Sequence, residues 1–227
     1  MTYAYHSHNT FLAVPHGASN KPFAIAGIPY DGAVTNRPGA RFGPGAIRQA
    51  SQMLCDGTHP YFDVTPFDHL TDYGDLMLPN TSIDGMRASL VEQIPAMIAN
   101  HHMCWLGGDH SVTLGLLRAY HAHYQKPLAV LHFDAHCDTW DSHFDEPSGH
   151  GTWVYEAIQE GLVDAESFVQ IGIRSAGVRE ARNYVQDQGG VIYTARDMRG
   201  LETLGALDDV LKTIHQRMTT KGLPAYL

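Results

Sequence analysis

Short apolar runs alternate with stretches of helical period from residue 23 onward. Residues 23–28 (Phe-Ala-Ile-Ala-Gly-Ile) predict a strand. A Gly-, Pro- and Arg-rich loop then leads to a helix opening near Pro44 and running through Ile47 to Leu54. Ser82 is a natural N-cap for a helix through Leu90, with Pro95 kinking or ending it. Residues 103–106 predict a short buried strand, 111–124 a helix, and 128–133 the clearest buried strand. A further helix begins over 150–160. Strands follow at 168–173 and 191–193, separated by a helix near 178–186. Leu204, Leu207, Leu211, Ile214 and Met218 step by three and four, the mark of a core-facing helical stripe, and residues 225–227 start a last strand. Short apolar strands alternating with helices predict an α/β fold, a mainly parallel sheet with helices on both faces. No repeat, low-complexity tract or shift in composition marks a linker, so residues 1–227 are expected to form a single domain.

Composition narrows the function classes. The formal net charge of −9 argues against nucleic acid as a main partner, since phosphate binding needs clustered Lys and Arg. An acidic balance suits a cationic small substrate. No apolar run approaches the roughly 20 residues that span a bilayer, and residues 1–15 lack the basic and apolar regions of a signal peptide. Cys55, Cys104 and Cys137 form no CxxC and predict reduced thiols in a cytoplasmic protein. Histidine is the outlier, with 15 residues against 15 Lys plus Arg. Many of these predict nothing special: His6, His8, His16, His59, His101 and His102 sit in polar or loop-like surroundings.

The chemistry concentrates where apolar runs end. After residues 128–133 come Asp134, Ala135, His136, Cys137 and Asp138. If the chain stays extended, residues 134, 136 and 138 share one face, converging two carboxylates and an imidazole. Such groups lie at the carboxyl end of a strand, where open α/β sheets form their sites. Alternation also enlists His132 and turns Cys137 away, so Cys137 is expected to pack. Residues 103–106 lead into Gly107-Gly108-Asp109-His110, which predicts a tight turn, a helix cap at Asp109 or Ser111, and a second imidazole at a strand end. Mixed imidazole and carboxylate donors without thiolates suit Mn²⁺ or another borderline-hard ion. A carboxylate-rich site also suits two ions sharing an acidified water.

Together, Gly107-Gly-Asp-His-Ser111, His132-Phe-Asp-Ala-His-Cys-Asp138 and Gly149-His-Gly-Thr152 resemble the ureohydrolase family of arginases and agmatinases. Gly39-Ala-Arg-Phe-Gly-Pro-Gly-Ala-Ile-Arg48 resembles the segment near the start of agmatinase-type members. The likeness runs in motif order from about residue 23 to the last residue. It implies an arginase-like three-layer α/β/α fold and a binuclear manganese enzyme that releases urea from a guanidinium compound. By position, His110, Asp134 and Asp138 would hold one Mn²⁺ and His136 and Asp134 the other, with Asp134 bridging. His150 matches the family's proton shuttle near the leaving amine, a role an imidazole can fill near neutral pH. Arg37, Arg41 and Arg48 would repel a guanidinium, so they are expected to pin loops or contact subunits.

The resemblance implies hydrolysis of agmatine to putrescine and urea, in polyamine metabolism, by a cytoplasmic homo-oligomer. Guanidinobutyrase, guanidinopropionase, guanidine hydrolase and formiminoglutamase are alternatives with the same chemistry. Asp145, Glu146 and Ser148 precede His150 and are candidates for contact with a substrate tail. Family members follow the final strand with an Asp-x-Asp-x-x-Asp-Pro stretch that supplies further metal ligands, whereas this sequence stops at Leu227. The corresponding expectation is a C-terminally shortened chain with four of six ligand residues. Its alternative function is an inactive chain holding at most one metal. A deacetylase of the same general fold fits the motifs less well.

Overall fold

The computed structural model describes residues 9–55, 57–201, 203 and 205–227. His6, His8 and Leu204 lie outside them. Two compact units divide the chain, residues 1–119 and 120–227.

The first unit is built on three parallel strands, β1 (Phe23–Ile28), β2 (Leu70–Asp75) and β3 (His102–Gly107), in the order β2-β1-β3. Central β1 is buried from Ala24 to Ile28, as a two-sided parallel strand must be. Helix α1 (Gly43–Ser51) starts on Pro44, whose missing N–H costs nothing in a first turn, and buries Pro44, Arg48 and Ser51. In α2 (Ile83–Ile98) the Ser82 hydroxyl accepts a hydrogen bond from the Gly85 N–H (3.1 Å). Pro95 neither ends nor shortens that helix. Met86, Leu90, Ile94 and Ile98 form one buried stripe through it, and their packing outweighs the single backbone bond that proline removes. Helix α3 (Val112–Tyr124) spans the division between the units.

Strand β2 has no counterpart in the sequence reading, because Thr71 and Asp72 do not look like core. Both are fully buried. What makes this tolerable is Arg48, itself fully buried. Its Nε donates to Asp72 Oδ2 (2.8 Å), its Nη2 to Asp72 Oδ1 (2.9 Å), and its Nη1 to Asp75 Oδ1. Burial alone would depress the Arg48 pKa, but the bonds to Asp72 and then Asp75 outweigh it and raise the pKa above the ordinary value. Asp72 also accepts the backbone N–H of Phe11 and of Gly74 (2.8 Å each), so one carboxylate joins α1, β2 and the N-terminal segment. His101 stands in the loop before β3, among polar groups as expected, but it is buried: Tyr73 Oη lies 3.0 Å from its Nε2 and the Lys21 carbonyl 2.8 Å from its Nδ1.

The second unit holds four parallel strands in the order β6-β5-β4-β7: β4 (Leu128–Phe133), β5 (Val163–Ile173), β6 (Val191–Thr194) and β7 (Ala225–Tyr226). Helices α4 (Trp153–Gln159), α5 (Arg179–Asp187) and α6 (Asp208–Thr219) cover them. The core gathers Val130, Trp153, Phe168 and Val169, with Trp153 and Phe168 ring centroids 6.3 Å apart. The stripe expected to face the core on α6 lies toward β5 and β4 but is only partly covered. Among its described members Leu211 is 51% exposed and Leu207, Ile214 and Met218 are only half-buried. Polar ties hold this region instead: Arg217 Nη1 donates to the carbonyls of Glu166 (2.8 Å) and Gly189 (2.6 Å), and just beyond the helix Lys221 pairs with Asp164 (2.9 Å). No helix among the described residues is long and apolar enough to cross a membrane.

Removing one partner of a buried ion pair leaves the other charge uncompensated. Asp72→Asn should therefore destabilise the protein by about 3–5 kcal/mol in urea denaturation; a loss under about 1 kcal/mol would mean Asp75 alone satisfies Arg48. Arg41 and Asp31 give a pH-dependent counterpart. Burial pushes the Asp31 carboxyl up, but the Arg41 side chain and the N–H groups of Gly39 and Arg41 outweigh it and hold the pKa below the ordinary value. A depressed pKa adds stability that is complete above about pH 4 and fades as pH falls through the folded value. The stability gap between the parent and Arg41→Met should be widest at neutral pH and shrink below about pH 4. A gap that stays constant on acidification would refute this coupling.

Candidate metal centre

In the first unit, β3 ends at Gly107 and the backbone turns at Gly108 with φ +47. A Cβ there would meet the carbonyl oxygens of Ile28 and Tyr30 at 2.5 Å, so the chain can pass only as glycine. Asp109 is a cap. Its Oδ1 accepts the Ser111 N–H (2.9 Å) and hydroxyl (2.5 Å), and its Oδ2 accepts the Ala33 N–H (3.0 Å). Asp109 also raises the buried Tyr30 phenol, which burial first and then this carboxylate push up to about 12. His110 follows, half-buried, one residue short of α3.

In the second unit, β4 delivers His132 inside the strand and Asp134 just past its end. Asp138 stands four residues on, buried, with φ +53. Before it, the chain bends at Ala135 and His136, which breaks the extended run on which the alternation of 134, 136 and 138 depended. A loop therefore brings the two carboxylates together. His132, Asp134 and Asp138 each offer a ligand-type atom within 4.8 Å of the others. His136 stays at the rim: its side chain is 63% exposed, with Nδ1 3.4 Å from Asp134 Oδ1.

The supporting bonds distinguish ligand from support. Gln170, on β5, donates from Nε2 to the Cys137 carbonyl (2.8 Å), which can only accept, and its second N–H reaches His132 Nδ1 (3.1 Å). Nδ1 of His132 is thereby an acceptor. The proton sits on Nε2, which donates to Asp134 Oδ2 (3.2 Å). A protonated nitrogen cannot ligate a cation, so His132 orients Asp134. The other Asp134 oxygen accepts the His136 N–H (2.9 Å). Asp138 Oδ2 accepts the indole N–H of Trp153 (2.8 Å), and its carbonyl accepts the Val154 N–H (3.0 Å), tying the loop to α4. Cys137 is fully buried and packs as expected. Trp153 and Gln170 went unnoticed in the sequence because their partners lie 15 and 38 residues away.

His150 is half-buried on the Gly149–Thr152 loop, its ring 5.5 Å from that of His143 and tilted by 64°. His143 was not singled out from sequence. Its ring covers Gly151, where a Cβ would lie 2.6 Å from Nε2, and that nitrogen is buried without a hydrogen-bond partner. Burial, then neighbouring His150, push the His143 pKa below the ordinary histidine value, against the opposing pull of Asp138. Ser148 is committed to Glu156, donating at 2.7 Å, whereas Asp145 and Glu146 are exposed on the preceding turn. Arg41 and Arg48 pin loop and core in the first unit, as expected, and Arg37 is exposed.

Two carboxylates, with imidazoles alongside and no thiolate among them, form a donor set for a borderline-hard divalent cation, and Mn²⁺ fits it.

Known proteins resemble this chain in sequence and fold. Agmatinase from Chromobacterium violaceum is 45% identical over 156 residues, covering 67% of this chain and 48% of that protein. Proclavaminate amidinohydrolase from Streptomyces clavuligerus is 35% identical over 219 residues, 92% of this chain and 68% of that one. The solved structure of the Streptomyces clavuligerus enzyme superposes with a TM-score of 0.82 at 31% identity, covering 99% of this chain and 74% of that one. A hypothetical agmatinase from Burkholderia thailandensis gives 0.81 at 32%, covering 96% and 66%. Against the agmatinases of Chromobacterium violaceum and Neisseria meningitidis, this chain spans about half the relative's length, 48% and 52%. The expected parallel α/β architecture is that of these neighbours, and because the sequence pattern of the arginase family matches residues 21–227, the chain belongs to that family.

Proposed function

We propose that this chain carries the manganese-holding part of an amidinohydrolase, with agmatine as the substrate and putrescine and urea as products. The observation that carries the reading is the convergence of Asp134 and Asp138 at the end of β4, each fixed by a hydrogen bond from a buried ring. His110, Asp134 and Asp138 would hold one Mn²⁺, and His136 with Asp134 the other. Bound there, the cations would supply an acidified water for attack on the guanidinium carbon. The chain's own groups do the rest. His132 holds Asp134 in one orientation. His150 delivers a proton to the departing amine as the C–N bond breaks, since an amine leaves poorly as an anion. Agmatine is preferred because the agmatinase relatives are 45% identical, against 35% for proclavaminate amidinohydrolase. A homo-oligomer in the cytoplasm completes the reading.

The decisive experiment measures manganese per chain and urea released from agmatine and from 4-guanidinobutyrate, on protein of verified intact mass. Turnover confined to 4-guanidinobutyrate would replace agmatine. At most one weakly held metal and no urea would establish the inactive alternative. Asp134→Ala should remove manganese altogether and abolish any urea release, because it deletes the shared ligand; full retention of metal would refute the bridging role. His132→Ala should do less. It should weaken manganese binding by about 10–100-fold while leaving the fold intact, as loss of an orienting partner does.

A further inference from the structure

A cavity of about 500 Å³ opens at the carboxyl ends of β5 and β6, beside α5, in the second unit. Four of the chain's eleven arginines line it: Arg174, Arg182, Arg196 and Arg199. In a chain of net charge −9 that is a local reversal of sign. Among the described residues no carboxylate forms a salt bridge with any of the four. The single acid in the lining, Asp197, is turned to its own loop, where its Oδ2 accepts the Thr194 N–H (2.8 Å) and hydroxyl (2.6 Å). Among the described residues, the Arg174 guanidinium donates only to the nearby Gly172 carbonyl (3.1 Å). Ser175 also stands in the lining, with its hydroxyl buried.

We propose that this cavity is a binding site for a small polyanion bearing a diphosphate. Guanidinium groups are planar forks that take two phosphate oxygens at once, and four of them around one cavity match an anion with many oxygens. The volume exceeds what a single phosphate fills and lies within the range of small-ligand pockets. The position also has a structural consequence. The backbone N–H groups of Arg174 and Ser175 both donate to the Ala135 carbonyl (2.9 and 3.0 Å), between Asp134 and His136. An anion held by Arg174 therefore bears on the loop that carries the carboxylate cluster.

The test is calorimetric titration of the whole chain with inorganic pyrophosphate and, separately, with ADP. One saturable site per chain is expected, weakened by salt, and weakened about tenfold in each of Arg182→Gln and Arg196→Gln, which each remove a charge-assisted bond. Arg179→Gln, at the start of α5 and outside the lining, should bind like the parent. Equal affinity for the two probes identifies the free inorganic diphosphate as sufficient, and tighter ADP binding identifies a nucleotide. Both results support the site. No saturation by about 10 mM, a range below even weak ligand affinity, would overturn it. So would binding undiminished in both variants, which would place the anion elsewhere, for instance at the carboxylate-held metal.

Discussion

Every strand in both sheets runs parallel to its neighbours, and that constraint decides where chemistry can stand. Parallel strands are covered on both faces, so their interiors must be apolar or internally satisfied. Reactive groups are driven to the ends, where the backbone leaves the ladder. Asp134 and Asp138 stand past the end of β4, His110 past β3, and the arginine-lined cavity past β5 and β6. The exceptions confirm the rule by their compensation: Asp72 is buried inside β2 only because Arg48 meets it, and His132 inside β4 only because Gln170 and Asp134 use both its nitrogens.

Much of this was legible in the sequence, and what was not has a physical explanation. Residues 23–28 and 128–133 read as strands because they are continuous apolar runs. Strand β2 was hidden because its stabilising partner, Arg48, lies 24 residues away from Asp72 and carries a charge that no local pattern offsets. The α6 stripe had the right period, but the helix covers β5 and β4 with its apolar residues only partly buried. At the site, the residue types were readable and the geometry was not. Alternation assumed an extended chain, and the bends at Ala135 and His136 replaced it with a loop that leaves His136 exposed. Roles that depend on a third residue, such as the tautomer of His132, cannot be read from spacing.

The second unit separates its charges along the ends of one sheet. β4 ends in carboxylates, whereas β5 and β6, one and two strands over, end among guanidiniums. Had the two sets been nearer, they would have neutralised each other and neither would serve a ligand. The backbone of Arg174 and Ser175 spans the interval, fixed at Ala135, so the segregation is held by main-chain bonds that titration cannot release.

Gly172 shows how far a site's requirements reach. It interrupts the pairing of β5 with β6, with φ +95, and a Cβ there would stand 3.1 Å from the Asp134 carbonyl oxygen. It contributes no ligand, charge or proton. Yet any heavier residue would have to displace the carbonyl of the residue that anchors the carboxylate pair. In a saturation library, position 172 would belong with the chemical residues by its intolerance, and with the scaffold by its composition. A redesign of the centre that keeps every donor atom but neglects this hydrogen-sized space would fail without any donor having been changed.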